Sequence, residues 1–431
     1  EEQDKLKKAI EAVNPGATVE VKPDGSAVVT YPGKAPETLK QADLTKAADA
    51  LDTPNGGNDI KRPVDKVIVK DPKNLTPEEK AKIKQAVRDV NPNAVVTMDD
   101  NGTVTVSTPE GKTAAFPASE LVRTLEDAAK PDSANTGIRK PADKVVGDAT
   151  NPADQEKATE KLKKLNGPNA KVQYDDEGNA TVALPNGTVA TIPASDLFKT
   201  PEEASKVNGG DDINKPNSQT VVEDITALQP DKLQEVKDAI KAKVEAVNPG
   251  AVVVVDNNGN AIVTTPEGKT AVIDADDLIK KSTELPNAKA GNYINNPADR
   301  VKVTDKDADK SPEEIAKIKA AVEAVNPGAT VVVDAKGNAT VTTPVAPGVE
   351  AKTATIPVSE LVKLDGDKDV VSGGNQVNTP ADRIVLEKAI ADLTSDELTK
   401  LKEDITAKVK AVNPDKDGKA TTVVIDEKGN A

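Results

Sequence analysis

Pairs of apolar residues separated by one variable residue return at intervals along the chain: Val19 and Val21, Val96 and Met98, Val172 and Tyr174, Val253 and Val255, Val331 and Val333, Val423 and Ile425. The residue between them drifts from Glu20 to Thr97, Gln173 and Val254, which marks a strand with one buried face. A turn follows each pair and ends in Asp24-Gly25, Asn101-Gly102, Glu177-Gly178, Asn258-Gly259 or Lys336-Gly337, where glycine supplies the positive φ of a tight hairpin. The return strand alternates again through Val104 and Val106 or Ala339 and Val341, and runs into Pro109, Pro185, Pro266 or Pro344. A third strand carrying Phe116, Ile192, Ile273 or Ile356 completes a three-stranded meander.

Upstream of each meander the period changes from 2 to that of a helix. Thr76-Pro77-Glu78-Glu79 places a capping hydroxyl, a first-turn proline and a capping-box glutamate in sequence, and Ile83, Val87 and Val90 then share one face. Ser311-Pro312-Glu313-Glu314 repeats the signal before Ile315, Ile318, Val322 and Val325, and Thr394 with Glu397 is a third instance. The helices are expected to stop at an Asn-Pro or Asn-Gly-Pro beginning at Asn14, Asn91, Asn166, Asn248, Asn326 and Asn413, because the residue before proline avoids the helical region. Steps of 77, 75, 82, 78 and 87 residues separate these asparagines, too long for a solenoid repeat and right for a string of small domains.

A short β-like run precedes each helix at Lys66 to Val69, Lys144 to Val146, Thr220 to Val222, Arg300 to Val303 and Arg383 to Leu386. A short helical turn closes each unit around Leu44, Leu121, Leu197, Leu278 and Leu361. The chain is therefore read as α+β: a tandem array of small two-layer domains, each a β-α-β-β-β unit with a three-stranded meander covered by one helix. The boundaries expected are a partial repeat 1 (1–59), repeats 2 (60–137), 3 (138–212), 4 (213–293) and 5 (294–376), and a partial repeat 6 (377–431). Both ends read as boundaries within a longer chain.

Connectors such as NGGNDIKRP and NGGDDINKP have the composition of flexible linkers, yet 16 or 17 residues separate each closing leucine from Ile60, Ile138, Ile213, Ile294 or Val377. A disordered connector has no reason to hold its length. Length varies instead before the helix and in the turn Pro344 to Lys352. The constant interval predicts packed junctions in which that apolar residue fills a notch between domains. Adjacent units would then form a monomeric rod about 150–250 Å long.

Composition narrows the function. The chain has 431 residues, 36% hydrophobic and 30% charged, and no apolar run approaches the roughly 20 residues that span a membrane. The net charge of −15 is mixed along every unit, which argues against a nucleic-acid surface, as does the scarcity of aromatics (Tyr31, Phe116, Tyr174, Phe198 and Tyr293). Histidine and cysteine are absent, so neither an imidazole base nor a thiol nucleophile exists, and no enzyme activity is expected.

Four motifs touch chemistry. The turns Asp99-Asp100-Asn101-Gly102 and Asp256-Asn257-Asn258-Gly259-Asn260 carry oxygen ligands that could hold calcium, but hairpin-turn chemistry explains them without a metal. Lys66, Lys144 and the Asn-Pro asparagines raise an intramolecular isopeptide bond, against the usual solvation of lysines at strand ends. Asp276-Asp277 reads as a helix-start pair favoured by the dipole, and Leu184-Pro185-Asn186-Gly187-Thr188 only mimics a wall-sorting motif. No catalytic, cofactor-binding or metal residue is assigned, and no cofactor is expected.

The stretch LTPEEKAKIKQAVRDVNPNAVVTMDDNGTVTVSTPEGKTAAFPASEL resembles the tandem repeats of long Gram-positive cell-wall-anchored surface proteins, the fibrillar adhesins. Pro-Ala-Asp, Leu-Thr-Pro-Glu-Glu, Asn-Pro-Gly-Ala and Asp-Gly-Asn-Ala-Thr-Val strings carry the resemblance, which is one of repeat style over essentially the whole chain. It implies an extracellular stalk, anchored to the cell wall outside this stretch, that projects a binding region. An alternative is a repeated module that binds a host extracellular-matrix or serum protein by avidity.

Overall fold

In the computed structural model, residues 1–130, 135–285, 287–344, 351–416 and 420–431 are described. The chain divides into two compact units, Glu1–Thr200 with Ile262–Val272, and Pro201–Ala261 with Ile273–Ala431.

Both units are built from the expected element order. In repeat 2 the helix Pro77–Val90 is followed by strands Val95–Met98, Thr103–Ser107 and Thr113–Pro117, paired antiparallel in chain order. Thr76 and Glu79 close a reciprocal capping box, as do Ser311 with Glu314 and Thr394 with Glu397. Repeat 3 repeats the plan with Pro152–Asn166, Lys171–Tyr174, Ala180–Ala183 and Val189–Ile192. Repeat 5 does so with Pro312–Val325, Thr330–Val333, Ala339–Thr342 and Thr353–Ile356. Each has its own core: Ile83, Val87, Val96, Val104, Val106 and Phe116 meet in repeat 2, and Ile318, Val322, Val331, Val341 and Ile356 in repeat 5. The turn glycines Gly102, Gly178, Gly259 and Gly337 have φ of +82°, +82°, +88° and +96°.

The short strand before each helix does not join the meander. It pairs in parallel with the two residues after the closing helical turn, Val67 with Val122, Val145 with Phe198, Thr220 with Ile279 and Val301 with Val362. Repeats 2 to 5 therefore each carry a second, two-stranded parallel sheet beside the meander's own. In repeat 6 the run Arg383 to Leu386 is not a strand, and neither is the stretch around Val423 and Ile425. The turn from Pro344 to Lys352 lies largely outside the described residues.

The notch residues act differently from expectation. Ile60, Ile138 and Ile294 are buried in the core of the repeat they open, not between two domains, whereas Val377 is 47% exposed. Burying the isoleucine fixes where the connector enters its own domain.

Candidate functional site: the repeat junctions

The Asn-Pro asparagine does more than end the helix. Asn91 leaves helical geometry at φ −125°, and its amide then grips the chain after Ile60. Its Oδ1 accepts from the Lys61 backbone N–H at 2.9 Å, while Nδ2 donates to the Lys61 carbonyl at 2.8 Å and to the Val87 carbonyl at 2.9 Å. Asn166 holds Arg139, Asn248 holds Asn214, Asn326 holds Asn295 and Asn413 holds Asn378 by the same pair of bonds. A planar amide satisfies one donor and one acceptor of a single residue, which explains why this residue type recurs. The asparagines proposed for isopeptide chemistry thus face backbone groups, and Lys66 is fixed through its own backbone N–H, which donates to Asn135.

Two residues after the gripped one comes proline, and there the connector leaves its own repeat. Around Pro63 it lies parallel to the third strand of repeat 3: the Val64 N–H donates to the Thr191 carbonyl at 2.9 Å and the Thr191 N–H to the Arg62 carbonyl at 2.7 Å. Val64 enters the core of repeat 3 beside Ala190 and Ile192. Around Pro141 the same pair of bonds joins Ala142 and Lys140 to Val272, at 2.9 and 2.8 Å. Around Pro216 it joins Asn217 and Lys215 to Thr355, at 3.1 and 2.7 Å. Proline suits this place because its missing N–H would face away from the ladder.

The glycine-rich part of the connector is ordered for the same purpose. Asn55, Gly56 and Gly57 take left-handed φ of 54°, 57° and 77°, and Asn208, Gly209 and Gly210 take 59°, 62° and 76°. The middle glycine presses on the outer face of a meander: a Cβ on Gly56 would lie 2.8 Å from Val189, and one on Gly209 2.9 Å from Thr353. Consequently the outer hydroxyls of those sheets are sealed. Thr181 and Thr191 pair at 2.8 Å, Thr340 and Thr355 at 3.0 Å, and Thr191 and Thr355 are 0% and 1% exposed. Return and third strands of repeat 3 are buried on both faces, whereas the return strands of repeats 1 and 2 keep half-buried positions and their third strands begin exposed.

Charge closes the junction at the residue before proline. Arg62 pairs with Glu120 at 2.5 Å, Lys140 with Asp196, and Lys215 with Asp277 at 3.3 Å; Asn296 donates to Glu360 at the corresponding place. Lys140 is fully enclosed and also meets Asp65 at 2.7 Å, while Lys269 reaches Asp196 from outside at 3.2 Å. Burial pushes the Asp196 carboxyl up, but the ammonium groups of Lys140 and Lys269 outweigh it and hold the group at about 2. Burial likewise disfavours charge on Lys140, and the carboxylates of Asp65 and Asp196 hold its pKa above the ordinary lysine value. An ammonium held in that state is a poor nucleophile. The second acid of Asp276-Asp277 is thus an ion-pair partner as well as a first-turn carboxylate.

The acidic turns are also occupied. Asp256 accepts from the backbone of Asn258 and Asn260 and from the Asn260 amide, whose own oxygen accepts from Ala275 N–H at 2.9 Å. Asp175 with Asn179 and Asp334 with Asn338 repeat the arrangement, so Asp-x-x-Gly-Asn ties the hairpin to the closing helical turn. Among the described residues no cluster of three or more acidic side chains is gathered for a metal ion, and no helix is long and apolar enough to cross a membrane.

Sequence reasoning found the connectors and missed what they touch. The signal was present in two places: basic or amide residues before proline facing an acid in each closing turn, and threonine recurring at 181, 191, 264, 340 and 355 on the strand faces assumed to meet solvent.

No curated protein matches the chain. Solved structures with local similarity include the SrpA adhesin from Streptococcus sanguinis, at 22% identity over 24% of this chain and 49% of that one, with a TM-score of 0.15. The sialic acid binding region of the Streptococcus sanguinis SK1 adhesin bound to 3'sLn aligns at 15% identity over 72% of this chain and 92% of that one, also with a TM-score of 0.15. The chain spans about half the length of the SrpA structure. The model of the atypical Rib domain matches at residues 1–48, 58–125, 137–201, 211–282 and 292–364, most of the sequence. The chain belongs to the atypical Rib domain family.

Proposed function

We propose that the chain is the structural spacer of a bacterial surface adhesin, extracellular and tied to the cell wall by a segment outside this stretch, and that it carries a binding region away from the cell. The observation that carries this reading is the ordered junction. Five asparagine clamps anchor each connector in its own repeat, and backbone bonds at Thr191, Val272 and Thr355 tie three of those connectors to the next one, which is what a spacer requires and a flexible tether lacks. Family membership supports a repeat with no chemistry of its own. The test is capture from plasma and matrix extracts on the immobilised chain. A spacer retains nothing saturably; saturable retention of one host matrix or serum protein would replace this reading with that of an adhesive repeat acting by avidity.

A further inference from the structure

Four of the five clamping asparagines, Asn91, Asn248, Asn326 and Asn413, are followed by proline, and Asn166 alone is followed by glycine. The difference is chemical as well as conformational. An asparagine side chain can be attacked at Cγ by the backbone nitrogen of the next residue, which must give up a proton that proline does not carry. Glycine has that proton and no Cβ to block the approach. Four clamps are therefore closed to this reaction by the residue behind them, and one is open.

Five further Asn-Gly pairs lie in the hairpin turns and connectors, and in each the glycine N–H is engaged. Gly56, Gly102, Gly187, Gly209 and Gly259 donate to Thr53, Asp99, Leu184, Lys206 and Asp256 at 2.9–3.2 Å. The Gly167 N–H, just past the helix Pro152–Asn166, makes no such bond among the described residues. Gly167 turns out of the helical path at φ +93°, is only half-buried, and stands beside open space, since a Cβ there would meet nothing within 4 Å. Asn166 itself is half-buried, whereas Asn91, Asn248 and Asn326 are buried. Its Oδ1 accepts from the Arg139 N–H at 2.8 Å, a donor placed to hold the negative charge that this oxygen gains when nitrogen adds to Cγ.

We propose that Asn166 is a site of spontaneous deamidation, and that its conversion to an acid loosens the connector that opens repeat 3. The Gly167 nitrogen bonds to Cγ of Asn166 and loses its proton, Nδ2 takes up a proton and leaves as ammonia, and a five-membered imide remains. Water then opens the ring. Attack at Cγ leaves aspartate, and attack at the backbone carbonyl leaves isoaspartate, in which the chain runs through the former side chain. Nothing is oxidised or reduced. Either product lacks the Nδ2 donor that now serves the carbonyls of Arg139 at 2.7 Å and Leu162 at 2.9 Å, and sets a carboxylate in its place. The anchor lost lies just before Ala142, whose N–H donates to the Val272 carbonyl of repeat 4 at 2.9 Å. Ageing thus slackens one junction of the array while the Asn-Pro clamps persist.

Peptide mapping by mass spectrometry on the full chain, kept folded at physiological temperature and sampled over time, tests this. Aspartate and isoaspartate should accumulate at Asn166 at least about tenfold faster than at any of the other five Asn-Gly pairs. The amides of Asn91, Asn248, Asn326 and Asn413 should remain. Hydrogen exchange at Arg139 and Ala142 should be faster in the aged protein than in fresh protein, and unchanged at Asn217, whose connector is held by the Asn-Pro clamp of Asn248. Asn166→Gln would have to close a larger, slower-forming ring, so it should age with neither an acid at 166 nor a drift in exchange. An Asn166 amide that survives, or converts no faster than the turn pairs, overturns the inference, because the free N–H then does not select the site. So does conversion at Asn166 that leaves exchange at Arg139 and Ala142 as it was in fresh protein.

Discussion

Replacing Asn326 by alanine isolates what the clamp contributes. The side chain is buried and makes three bonds: it accepts from Asn295 N–H at 2.8 Å, and donates to the carbonyls of Asn295 at 2.8 Å and Val322 at 3.0 Å. A net hydrogen bond contributes about 0.5–1.5 kcal/mol, and a donor stranded without water costs more. Asn295 is only half-buried, so water can reach its peptide once the amide is gone. Destabilisation of repeat 5 by about 2–4 kcal/mol is therefore expected. Asn14 is the internal comparison, since its amide donates only to the Ile10 carbonyl at 2.9 Å and accepts from the Tyr31 hydroxyl at 3.3 Å. Asn14→Ala should cost about 1 kcal/mol or less. Asn326→Asp keeps the acceptor but turns a carboxylate oxygen toward two carbonyls, so its loss should exceed that of alanine at neutral pH and shrink once the acid is protonated. Urea unfolding followed by residue-resolved hydrogen exchange at Asn295 reads both effects. An alanine variant within about 0.5 kcal/mol of wild type, the range of an ordinary surface change, with Asn295 still protected, would refute the reasoning.

Other outcomes follow from the same geometry. Thr76→Ala removes half of a capping box and should lower the stability of repeat 2 by about 1 kcal/mol in thermal melts. Gly259→Val forces positive φ on a branched residue and drives its Cβ to 2.5 Å from Ile279 and 3.1 Å from Ile225, so repeat 4 should lose at least about 1–3 kcal/mol, with no rescue by added calcium. Asp196, held at about 2 against roughly 3.9 in an unfolded chain, contributes stability that is full above about pH 4 and is lost as the pH falls toward 2; Asp196→Asn should flatten the melting curve in that window. Lys140 has the opposite sign, contributing below its unfolded value near 10.4 and losing that contribution only as the pH rises through its raised native value. The fragment Ile60 to Asn135 should melt cooperatively as a monomer, less stably than in the chain because Val64 loses the core of repeat 3.

Period and capping made the helix and meander legible, since Ile83, Val87 and Val90 and the pair Val104 and Val106 each serve a single core that local sequence specifies. Spacing likewise revealed that the connectors are ordered. What local pattern could not supply was the destination of an ordered segment. Ile60 looks like an interdomain plug until the clamp by Asn91 shows it folding inward, and the true crossing residue, Val64, sits beyond a proline that reads as a breaker. Thr191 reads as a solvent-facing strand residue because nothing near it in sequence announces the Arg62 to Val64 backbone that covers it. The Lys140 site was hidden for the same reason, its carboxylates being 75 residues upstream and 56 downstream.

Residue-resolved hydrogen exchange on the full chain at low concentration tests the ordered junction most directly. The amides of Thr191, Val272 and Thr355 donate to connector carbonyls, and Ala115 occupies the same strand position with no such partner among the described residues. If the connectors are fixed, the first three exchange at least about 100-fold more slowly than Ala115, the equivalent of an opening free energy of roughly 3 kcal/mol. Equal, rapid exchange at all four positions would contradict the account and return the connectors to flexible tethers.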